Sequence, residues 1–263
     1  MPDLPNFAVI IPMYNEKSGA QTCVRQVCAQ LSKMPHRANL IVVNDGSNDG
    51  TKEVLATLEP VEQKLIVVNH HDNQGYGAAL CTGILEAARR GFDYALFMDS
   101  DLTNRPEDIP KFVAKMEEHY DIIKATRYSN GGGVSGVPLF RVLISMIGNR
   151  VARLLFRMPL HDCTNGFRAT RVDLLARMEL RERKFPIIME ELYWSKFLAK
   201  SFIEVPVTLS NRAAELRPTS FAYRPSTFWN YLKYPLKAFL GIKPRALAPT
   251  ANETHLKPLR KRR

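Results

Sequence analysis

The chain has 263 residues, of which 45% are hydrophobic, and its 37 Lys and Arg residues against 26 Asp and Glu residues give a net charge of +11. This hydrophobic fraction is ordinary for a globular protein, so it can fill the core of one compact domain with an appendage, and we expect disorder only at the ends. The positive charge predicts an acidic partner, which could be nucleic acid, an anionic membrane surface or a phosphorylated substrate.

The first hundred residues alternate short apolar runs with apolar-periodic segments. The runs predict strands at 7–11, 40–43, 65–68 and 94–98, and the periodic segments predict helices at 20–31, 51–58 and 78–90. Strands joined by crossover helices form right-handed βαβ units with a parallel sheet. Four strand ends, each followed by a polar or glycine-rich turn, then face one edge of the sheet, as a nucleotide site requires.

The fourth predicted strand ends in two acids one residue apart, Asp99 and Asp101, and 104–107 follows as a helix start. Hard oxygen ligands at the end of a strand suit Mg²⁺ or Mn²⁺ carrying a diphosphate. Acids at a strand end also cap helices or lie in solvated loops. The motif alone therefore leaves both interpretations open.

The four cysteines, Cys23, Cys28, Cys81 and Cys163, have no metal-binding spacing and predict buried thiols in a reducing compartment. Residues 1–5 lack the features of a signal peptide, and no run of 18 residues is uninterruptedly apolar. We therefore expect a cytoplasmic protein without a spanning helix.

The segment 139–158 predicts an amphipathic helix whose apolar face is bordered by Arg150, Arg153 and Arg157. The expected face consists of Leu143, Ile144, Ile147, Val151, Leu154, Leu155 and Met158. An interfacial helix has this layout, with apolar residues toward acyl chains and guanidiniums among headgroups. A core-facing helix with a solvated basic edge explains the pattern equally well.

Two C-terminal segments add to the membrane interpretation. Residues 227–240 mix aromatic residues with lysines, and 257–263 end in a run of basic residues. Aromatic and basic residues together favour a membrane interface. A basic tail also suits nucleic acid or plain solvation, but no nucleic-acid motif accompanies it, so we expect no nucleic-acid partner.

Six motifs occur in a fixed order, at 11–16, 42–51, 99–101, 125–128, 164–168 and 204–207. Together they resemble inverting family 2 glycosyltransferases, most closely dolichyl-phosphate mannose synthases and other polyprenyl-phosphate glycosyltransferases, over roughly 7–212. The resemblance implies a GT-A fold, which is a Rossmann-like, mainly parallel α/β sheet with flanking helices. We therefore expect a GT-A domain over 1–225, including the interfacial helix. The aromatic and basic pattern predicts a membrane-associating extension over 226–263, with a second interfacial helix and a basic tail.

The resemblance also implies three sets of site residues, matched position by position. The nucleotide-sugar set is Pro12, Tyr14, Glu16, Val43, Asp45, Asp99, Ser100 and Asp101. The metal set, for Mg²⁺ or Mn²⁺, is Asp99 and Asp101, with Thr103 as a weaker ligand or one that acts through water. The phosphate set is Arg127, Arg141, Ser145 and Arg212, and the expected catalytic residues are Asp101, Arg127 and Arg212.

The implied reaction is attack of a lipid phosphate oxygen on the anomeric carbon with inversion, while the metal stabilises the leaving nucleoside diphosphate. An acceptor phosphate is already ionised, whereas a hydroxyl acceptor would require a positioned carboxylate. Glu190 and Glu191 are candidates for that second chemistry. Our preferred interpretation of these two residues is a polar helix face.

Three departures from the family pattern affect the expected site. Asn44 replaces the first of two acids, and the glycine-rich turn at 75–77 has no lysine. The stretch 213–220 replaces the family's mobile Gly-Glu-Ser-Lys segment, and we expect Arg217 to supply the missing cation.

The predicted function is a peripheral glycosyltransferase on the cytoplasmic face of a membrane. It would move a hexose, mannose by preference, from GDP-mannose or a UDP-hexose to a polyprenyl (dolichyl or undecaprenyl) phosphate. Transfer to a sugar or protein hydroxyl, and a non-catalytic protein that binds a nucleotide-sugar or a membrane, remain alternatives. The sequence leaves open whether a membrane subunit anchors the chain.

Overall fold

The computed structural model describes residues 4–129, 131–209 and 225–244. The strands are β1 (Phe7–Met13), β2 (Ala38–Asn44), β3 (Leu65–Asn69), β4 (Tyr94–Phe97), β5 (Ile122–Thr126), β6 (Gly133–Val134), β7 (Arg168–Arg171), β8 (Phe202–Pro206) and β9 (Thr208–Leu209). The helices are α1 (Lys17–Ser32), α2 (Thr51–Leu58), α3 (Tyr76–Arg89), α4 (Ile109–Glu117), α5 (Leu139–Phe156), α6 (Val172–Leu175), α7 (Ile187–Leu198) and α8 (Pro225–Phe239). A 3-10 turn at Pro106–Asp108 precedes α4.

The main sheet has seven strands in the order β3-β2-β1-β4-β7-β5-β8. Strands β3, β2, β1 and β4 are parallel, β7 runs antiparallel to both of its neighbours, and β5 and β8 are parallel. The four predicted strands and three predicted helices are confirmed, and so is the mainly parallel sheet with flanking helices. The carboxyl ends of the four parallel strands lie at one edge.

Helices cover both faces of this sheet. Phe7 and Val9 pack in the core beneath α1, α2 and α4, while Ala8 and Ile10 pack in the second core beneath α3, α5, α6, α7 and α8. Successive residues of a strand point to opposite faces, so β1 must be apolar at every position to serve both cores. Its continuous apolar run is therefore the expected pattern for a central parallel strand.

The cysteines are free thiols, as predicted, and Cys81 alone is only half-buried. Burial raises the pKa of Cys28, Cys81 and Cys163 to about 12. Since the thiolate is the reactive form, these side chains are inert at neutral pH.

Helix α5 leaves its apolar face uncovered by the described residues. Ile147 is 64% exposed and Leu154 is 73% exposed, whereas Asn149, Ala152 and Phe156 are buried. Leu155 of the predicted face is half-buried. Leu143, Ile144, Ile147, Val151 and Leu154 are exposed, and Leu139, Phe140 and Met146 join them. These eight side chains form what we call the α5 apolar face.

The prediction for Met158 is wrong. Arg157 adopts a left-handed conformation (φ 52°) that ends the helix, so Met158 turns back into the core and is 6% exposed. Among the described residues, α5 packs on the domain through Asn149, Ala152 and Phe156, and nothing covers the apolar face that the core-facing alternative would bury.

Helix α8 packs against α5 and α7. It buries Tyr234 and exposes Phe228, Trp229 and Phe239, and the guanidinium of Arg157 lies 5.1 Å from the ring centre of Phe239. No helix among the described residues is long and apolar enough to cross a bilayer. A C-terminal helix is thus present, whereas the predicted basic tail at 257–263 lies outside the described residues.

Candidate active site

The polar turns after β1 and β2 are hydrogen-bonded to each other. The backbone N–H of Asn15 donates to Ser47 Oγ (3.0 Å), and Asn48 N–H donates back to Asn15 Oδ1 (2.9 Å). The N–H of Glu16 donates to Thr51 Oγ1 (2.9 Å). These reciprocal bonds hold the first two turns together at the carboxyl edge of the sheet.

Four of the expected nucleoside residues lie in these turns or at the ends of the strands that lead into them. Pro12 and Val43 are paired in register on β1 and β2, with Tyr14 half-buried just beyond β1. Glu16 is 6% exposed at the start of α1. The structure therefore brings the four residues to one place, at the edge where open α/β sheets bind nucleotides.

Asp45 fixes the third polar turn. Its Oδ1 accepts hydrogen bonds from Gln74 N (2.9 Å) and His70 Nδ1 (2.7 Å), and its Oδ2 accepts one from Gly75 N (2.8 Å). His70 Nε2 lies 2.9 Å from Thr82 Oγ1, which fits a histidine that donates from Nδ1. Burial alone would raise the pKa of Asp45, but these hydrogen bonds hold it below its usual value, so the carboxylate stays ionised.

Asp99 lies against two residues from other parts of the chain. The hydroxyl of Tyr76, at the start of α3, donates to Asp99 Oδ1 (3.1 Å). A Cβ added at Gly166 would lie 3.3 Å from Asp99 Oδ2 and 3.4 Å from Tyr76 Oη, so the 162–166 loop passes directly beside the carboxylate. This close approach accounts for a glycine at that point of the loop.

Asp101 and Thr103 also lie together. Asp101 Oδ1 accepts hydrogen bonds from Thr103 N (3.1 Å) and Thr103 Oγ1 (2.8 Å), across a backbone reversal at Leu102 (φ 55°). Ser100 lies between the two acids, and Asp99, Ser100, Asp101 and Thr103 are all partly exposed. The predicted metal residues are thus grouped at a position that solvent reaches.

These residues fit a divalent cation that binds together with a diphosphate. In the part of the chain that the structure describes, no group of three His, Cys, Asp or Glu side chains could hold a metal ion by itself. Mg²⁺ characteristically binds one or two carboxylates and completes its shell with water and substrate phosphates. Two carboxylates and a hydroxyl suit that mode, and they do not suit a closed structural metal site.

Arg127 is positioned by a buried carboxylate. Its Nε lies 2.6 Å from Asp162 Oδ2 and its Nη2 lies 2.9 Å from Asp162 Oδ1, while Nη2 also reaches Thr164 Oγ1 (3.1 Å) and Ser145 Oγ (3.4 Å). Asp162 is fully buried, which by itself raises its pKa, but Arg127 and then Lys124 lower the pKa below its usual value. Asp162 therefore fixes the orientation of the Arg127 guanidinium beside the hydroxyl of Ser145 on α5.

The other phosphate residues are placed less completely. Arg141 lies one turn before Ser145 on α5, so the two share a helix face. Asn149, a further turn along, donates from Nδ2 to Ser145 O (2.9 Å) and to Thr164 Oγ1 (3.0 Å). Arg212 and Arg217 lie outside the described residues.

Two buried cations lie beneath the 162–166 loop. Lys124 Nζ donates to Asn165 O (2.8 Å), and Arg168 Nη1 donates to Gly166 O (2.8 Å). Burial, followed by the neighbouring Arg168, lowers the pKa of Lys124 to about 8. The two residues hold the carbonyls of a loop whose ends touch Asp99 and Arg127.

The interpretation of Glu190 and Glu191 as a polar helix face is wrong. Glu191 is 2% exposed and forms an ion pair with Arg168, while its Oε1 accepts from Thr170 Oγ1 (2.8 Å). Glu190 is 5% exposed and accepts from the backbone N–H of Arg181 and of Glu182, both at 2.8 Å. Glu191 is committed to structural bonds, while Glu190 holds the backbone of 181–182 through Oε2 and burial raises its pKa.

Sequence reasoning missed several residues that shape the site, among them Tyr76, Lys124, Asn149, Asp162 and Arg168 in its positioning role. Lys124 interrupts an apolar strand and Asn149 interrupts an apolar helix, which are signals of buried polar groups with dedicated partners. Tyr76 and Asp162 gave no such signal, because their partners lie 23 and 35 residues away.

Comparison with known proteins identifies a family and several relatives that are similar to this chain over most of its length. Residues 8–178 match the model of the family described as glycosyl transferase family 2. The polyprenol monophosphomannose synthase of Mycolicibacterium smegmatis is 31% identical over 78% of this chain and 77% of its own length. The dolichol-phosphate mannosyltransferase of Pyrococcus furiosus is 33% identical over 78% of this chain but only 57% of its own length.

A solved structure shares the fold at lower identity. The glucosyl-3-phosphoglycerate synthase of Mycobacterium tuberculosis, in complex with Mn²⁺, UDP and glucosyl-3-phosphoglycerate, is 20% identical with a TM-score of 0.62, covering 92% of this chain and 82% of that one. A second structure of that enzyme, with Mg²⁺ and UDP, has a TM-score of 0.61 at 20% identity, covering 92% and 81%. This likeness confirms the predicted GT-A arrangement.

Proposed function

The chain belongs to glycosyl transferase family 2, and on that premise we propose that it transfers a hexose, mannose by preference, from a nucleotide-sugar to a polyprenyl phosphate. The protein is a glycosyltransferase. Relatives named as polyprenol and dolichol-phosphate mannose transferases, similar over most of this chain, support this choice of acceptor and sugar.

The observation that carries the proposal is the dual character of α5. One side of the helix presents Ser145 to Arg127, and the other carries the exposed α5 apolar face. A polyprenyl phosphate has a phosphate joined to a long apolar chain, so both parts of the acceptor would meet matching surfaces on one helix. A water-soluble acceptor gives no reason for the eight exposed apolar side chains.

On the donor side, Asp99, Asp101 and Thr103 would hold a divalent cation, with Ser100 between them. When bound, the cation supplies Lewis-acid stabilisation of the departing diphosphate. Pro12, Tyr14, Glu16 and Val43 would form the nucleoside site, and Asp45 would shape it by fixing the third turn. Because Asp45 already accepts three hydrogen bonds, its contribution to the nucleoside is chiefly this positioning.

On the acceptor side, Arg127 and Ser145 would bind the phosphate, together with Arg141 and Arg212. Asp162 neutralises much of the charge of Arg127, so we expect Arg141 and Arg212 to supply the remaining cationic charge. A phosphate oxygen is ionised at neutral pH and attacks without a general base, and the product has inverted configuration. The structural commitment of Glu191 favours this chemistry over transfer to a hydroxyl.

The α5 apolar face and the exposed aromatic side chains of α8 suit peripheral association with a membrane. We place that association on the cytoplasmic face, since the free thiols suit a reducing compartment. An anchoring subunit would take the same surface.

Mass spectrometry of the lipid fraction tests the proposal. Incubation with GDP-mannose, polyprenyl phosphate and Mg²⁺ or Mn²⁺ is expected to yield polyprenyl phosphate that carries one hexose. UDP-hexoses tested in parallel identify the donor. Consumption of a nucleotide-sugar without a lipid product would exclude the polyprenyl phosphate acceptor.

A further inference from the structure

A cavity of about 570 Å³ lies beside α5, next to the proposed acceptor site. Its walls join the cationic side chains of Arg150, Arg153 and Arg157 to the apolar side chains of Met146, Leu154 and Met158, with His161 beside them. Tyr128 also lines it, and the ring centre of Tyr128 lies 5.0 Å from the guanidinium carbon of Arg127. No residue of the proposed donor, metal or phosphate sets is part of the lining, so the cavity is a separate site.

Positive charge is concentrated at this cavity. Arg150 and Arg153 lie on one side of α5, and Arg157, which ends the helix, lines the same cavity. Among the described residues, none of these three arginines forms an ion pair with a carboxylate, whereas the surface residue Arg89 pairs with Glu86. Like charges at this spacing repel each other, and a bound anion would relieve that repulsion.

Lys196 and Glu204, two ionisable groups close to the cavity, do not neutralise the arginines. Lys196 is a further basic group and not a counter-charge, and burial and the nearby charge of Arg157 hold its pKa below its usual value. Glu204 is the neighbouring acid, and it is committed to His161, accepting from His161 N (2.6 Å) and lying 2.7 Å from His161 Nδ1. An anion would therefore meet an excess of donors.

The cavity also borders the α5 apolar face. Met146 and Leu154 belong to both, and they are 47% and 73% exposed. An anion that carries apolar chains matches this border, since its charge can enter the cavity while its chains lie along the helix.

We propose that this cavity binds the phosphate headgroup of an anionic membrane phospholipid. Guanidinium groups are suited to this, because each offers a planar pair of donors to phosphate oxygens. The bound headgroup would set the depth and orientation of α5, and with it the position of Ser145 and Arg127 relative to lipid acceptors. This inference rests on the proposed membrane association of the protein.

The test is co-sedimentation of the full chain with vesicles of phosphatidylcholine, with and without phosphatidylglycerol. The variant is Arg150→Gln/Arg153→Gln, and the matched control is Arg25→Gln/Lys52→Gln, which removes two exposed cations from α1 and α2 on the opposite face of the sheet. Since each cation at an anionic surface contributes roughly a fivefold factor, we expect the variant to lose about twentyfold or more in binding to anionic vesicles. The control should lose less than about twofold.

Equal losses in variant and control would overturn the proposal, because binding would then follow net charge alone. Displacement of the wild type from vesicles by inorganic phosphate at matched ionic strength would make the cavity a general phosphate site, which also overturns it. A raised KM for polyprenyl phosphate in detergent, with unchanged vesicle binding, would assign the cavity to the acceptor instead. Arg150→Lys/Arg153→Lys keeps the positive charge and removes the planar pair of guanidinium donors. We therefore expect its vesicle binding to lie between that of the wild type and that of the Gln variant.

Failure of the proposed function would be recognised separately. If the wild type forms no glycosylated lipid, the transfer reaction is refuted. If the wild type nevertheless binds anionic vesicles and the Arg150→Gln/Arg153→Gln variant does not, the headgroup site is supported.

Discussion

The guanidinium of Arg127 and the carboxylate of Asp162 face each other as a two-pronged pair, with Nε 2.6 Å from Oδ2 and Nη2 2.9 Å from Oδ1. The carboxylate is fully buried, and it also accepts from the backbone N–H of Arg127 (3.2 Å) and of Asn165 (3.2 Å). One side chain therefore fixes both the proposed acceptor ligand and the loop that reaches Asp99.

Replacing Asp162 by asparagine should damage this arrangement in a measurable way. An amide cannot accept both prongs of the guanidinium, so Arg127 loses its orientation and its partner charge. We expect the free energy of unfolding to fall by about 3 kcal/mol and kcat/KM for the lipid acceptor to fall by about tenfold or more. Denaturant unfolding and steady-state kinetics measure the two effects.

Asp173→Asn is the matched control, because Asp173 pairs with Arg171 at the surface with its side chain 61% exposed. Exposed pairs contribute about 1 kcal/mol or less. If both variants behave alike, Asp162 has no special positioning role.

Removal of the Tyr76 hydroxyl should weaken metal binding. In Tyr76→Phe, Asp99 loses the hydrogen bond that orients it, and loss of such an outer contact typically costs about tenfold or more in metal affinity. Titration of Mn²⁺ in the presence of a nucleoside diphosphate measures the change. Tyr94→Phe removes a comparable hydroxyl, which donates to Tyr120 O (2.9 Å) away from the site, and should leave the affinity unchanged.

Lys124 gives a pH signature. Its pKa falls from 10.5 in the unfolded chain to about 8 in the fold, so between these values the folded state holds fewer protons than the unfolded state. The free energy of unfolding of the wild type should therefore rise with pH in that window, relative to Lys124→Met, by about 1.4 kcal/mol per pH unit. Unfolding curves of both proteins near pH 8 and pH 9.5 provide the comparison, and parallel pH dependences would refute the assignment.

Polar substitution on the α5 apolar face should reduce membrane binding without loss of stability. Leu143→Gln/Ile147→Gln changes two side chains that are 49% and 64% exposed, so the fold loses little buried area. Partition into uncharged phosphatidylcholine vesicles should fall by about tenfold or more. The control is Val61→Gln, which changes a residue that is 67% exposed and lies away from α5. An equal fall in partition for the control would show that the α5 apolar face is not the membrane-binding surface.

Most of the secondary structure could be predicted from local sequence patterns. The runs at 7–11 and 40–43 are apolar at every position because helices cover both sides of β1 and β2, and this pattern is visible in any single strand. The end of α5 was harder to place, because the apolar period continues to Met158 while the left-handed Arg157 turns the chain into the core. A hydrophobic pattern does not distinguish membrane from core.

The candidate site could be predicted where its residues are neighbours in the chain, as Asp99, Asp101 and Thr103 are. It could not be predicted where a partner comes from a distant segment. Asp162 and Tyr76 take their roles from contacts across 35 and 23 residues, and Glu191 became structural only because Arg168 lies beside it in the fold. Such contacts follow from strand order rather than from local sequence.

The most direct test of the central claim is transfer of radiolabelled mannose from GDP-mannose into an organic phase that contains polyprenyl phosphate, with and without divalent cation. We predict cation-dependent label in the lipid with the wild type, and loss of nearly all of it in Asp101→Asn, which keeps the shape of the side chain and removes its charge. Label that enters the lipid equally with the wild type and Asp101→Asn, or donor consumption with no label in the lipid, would contradict the account.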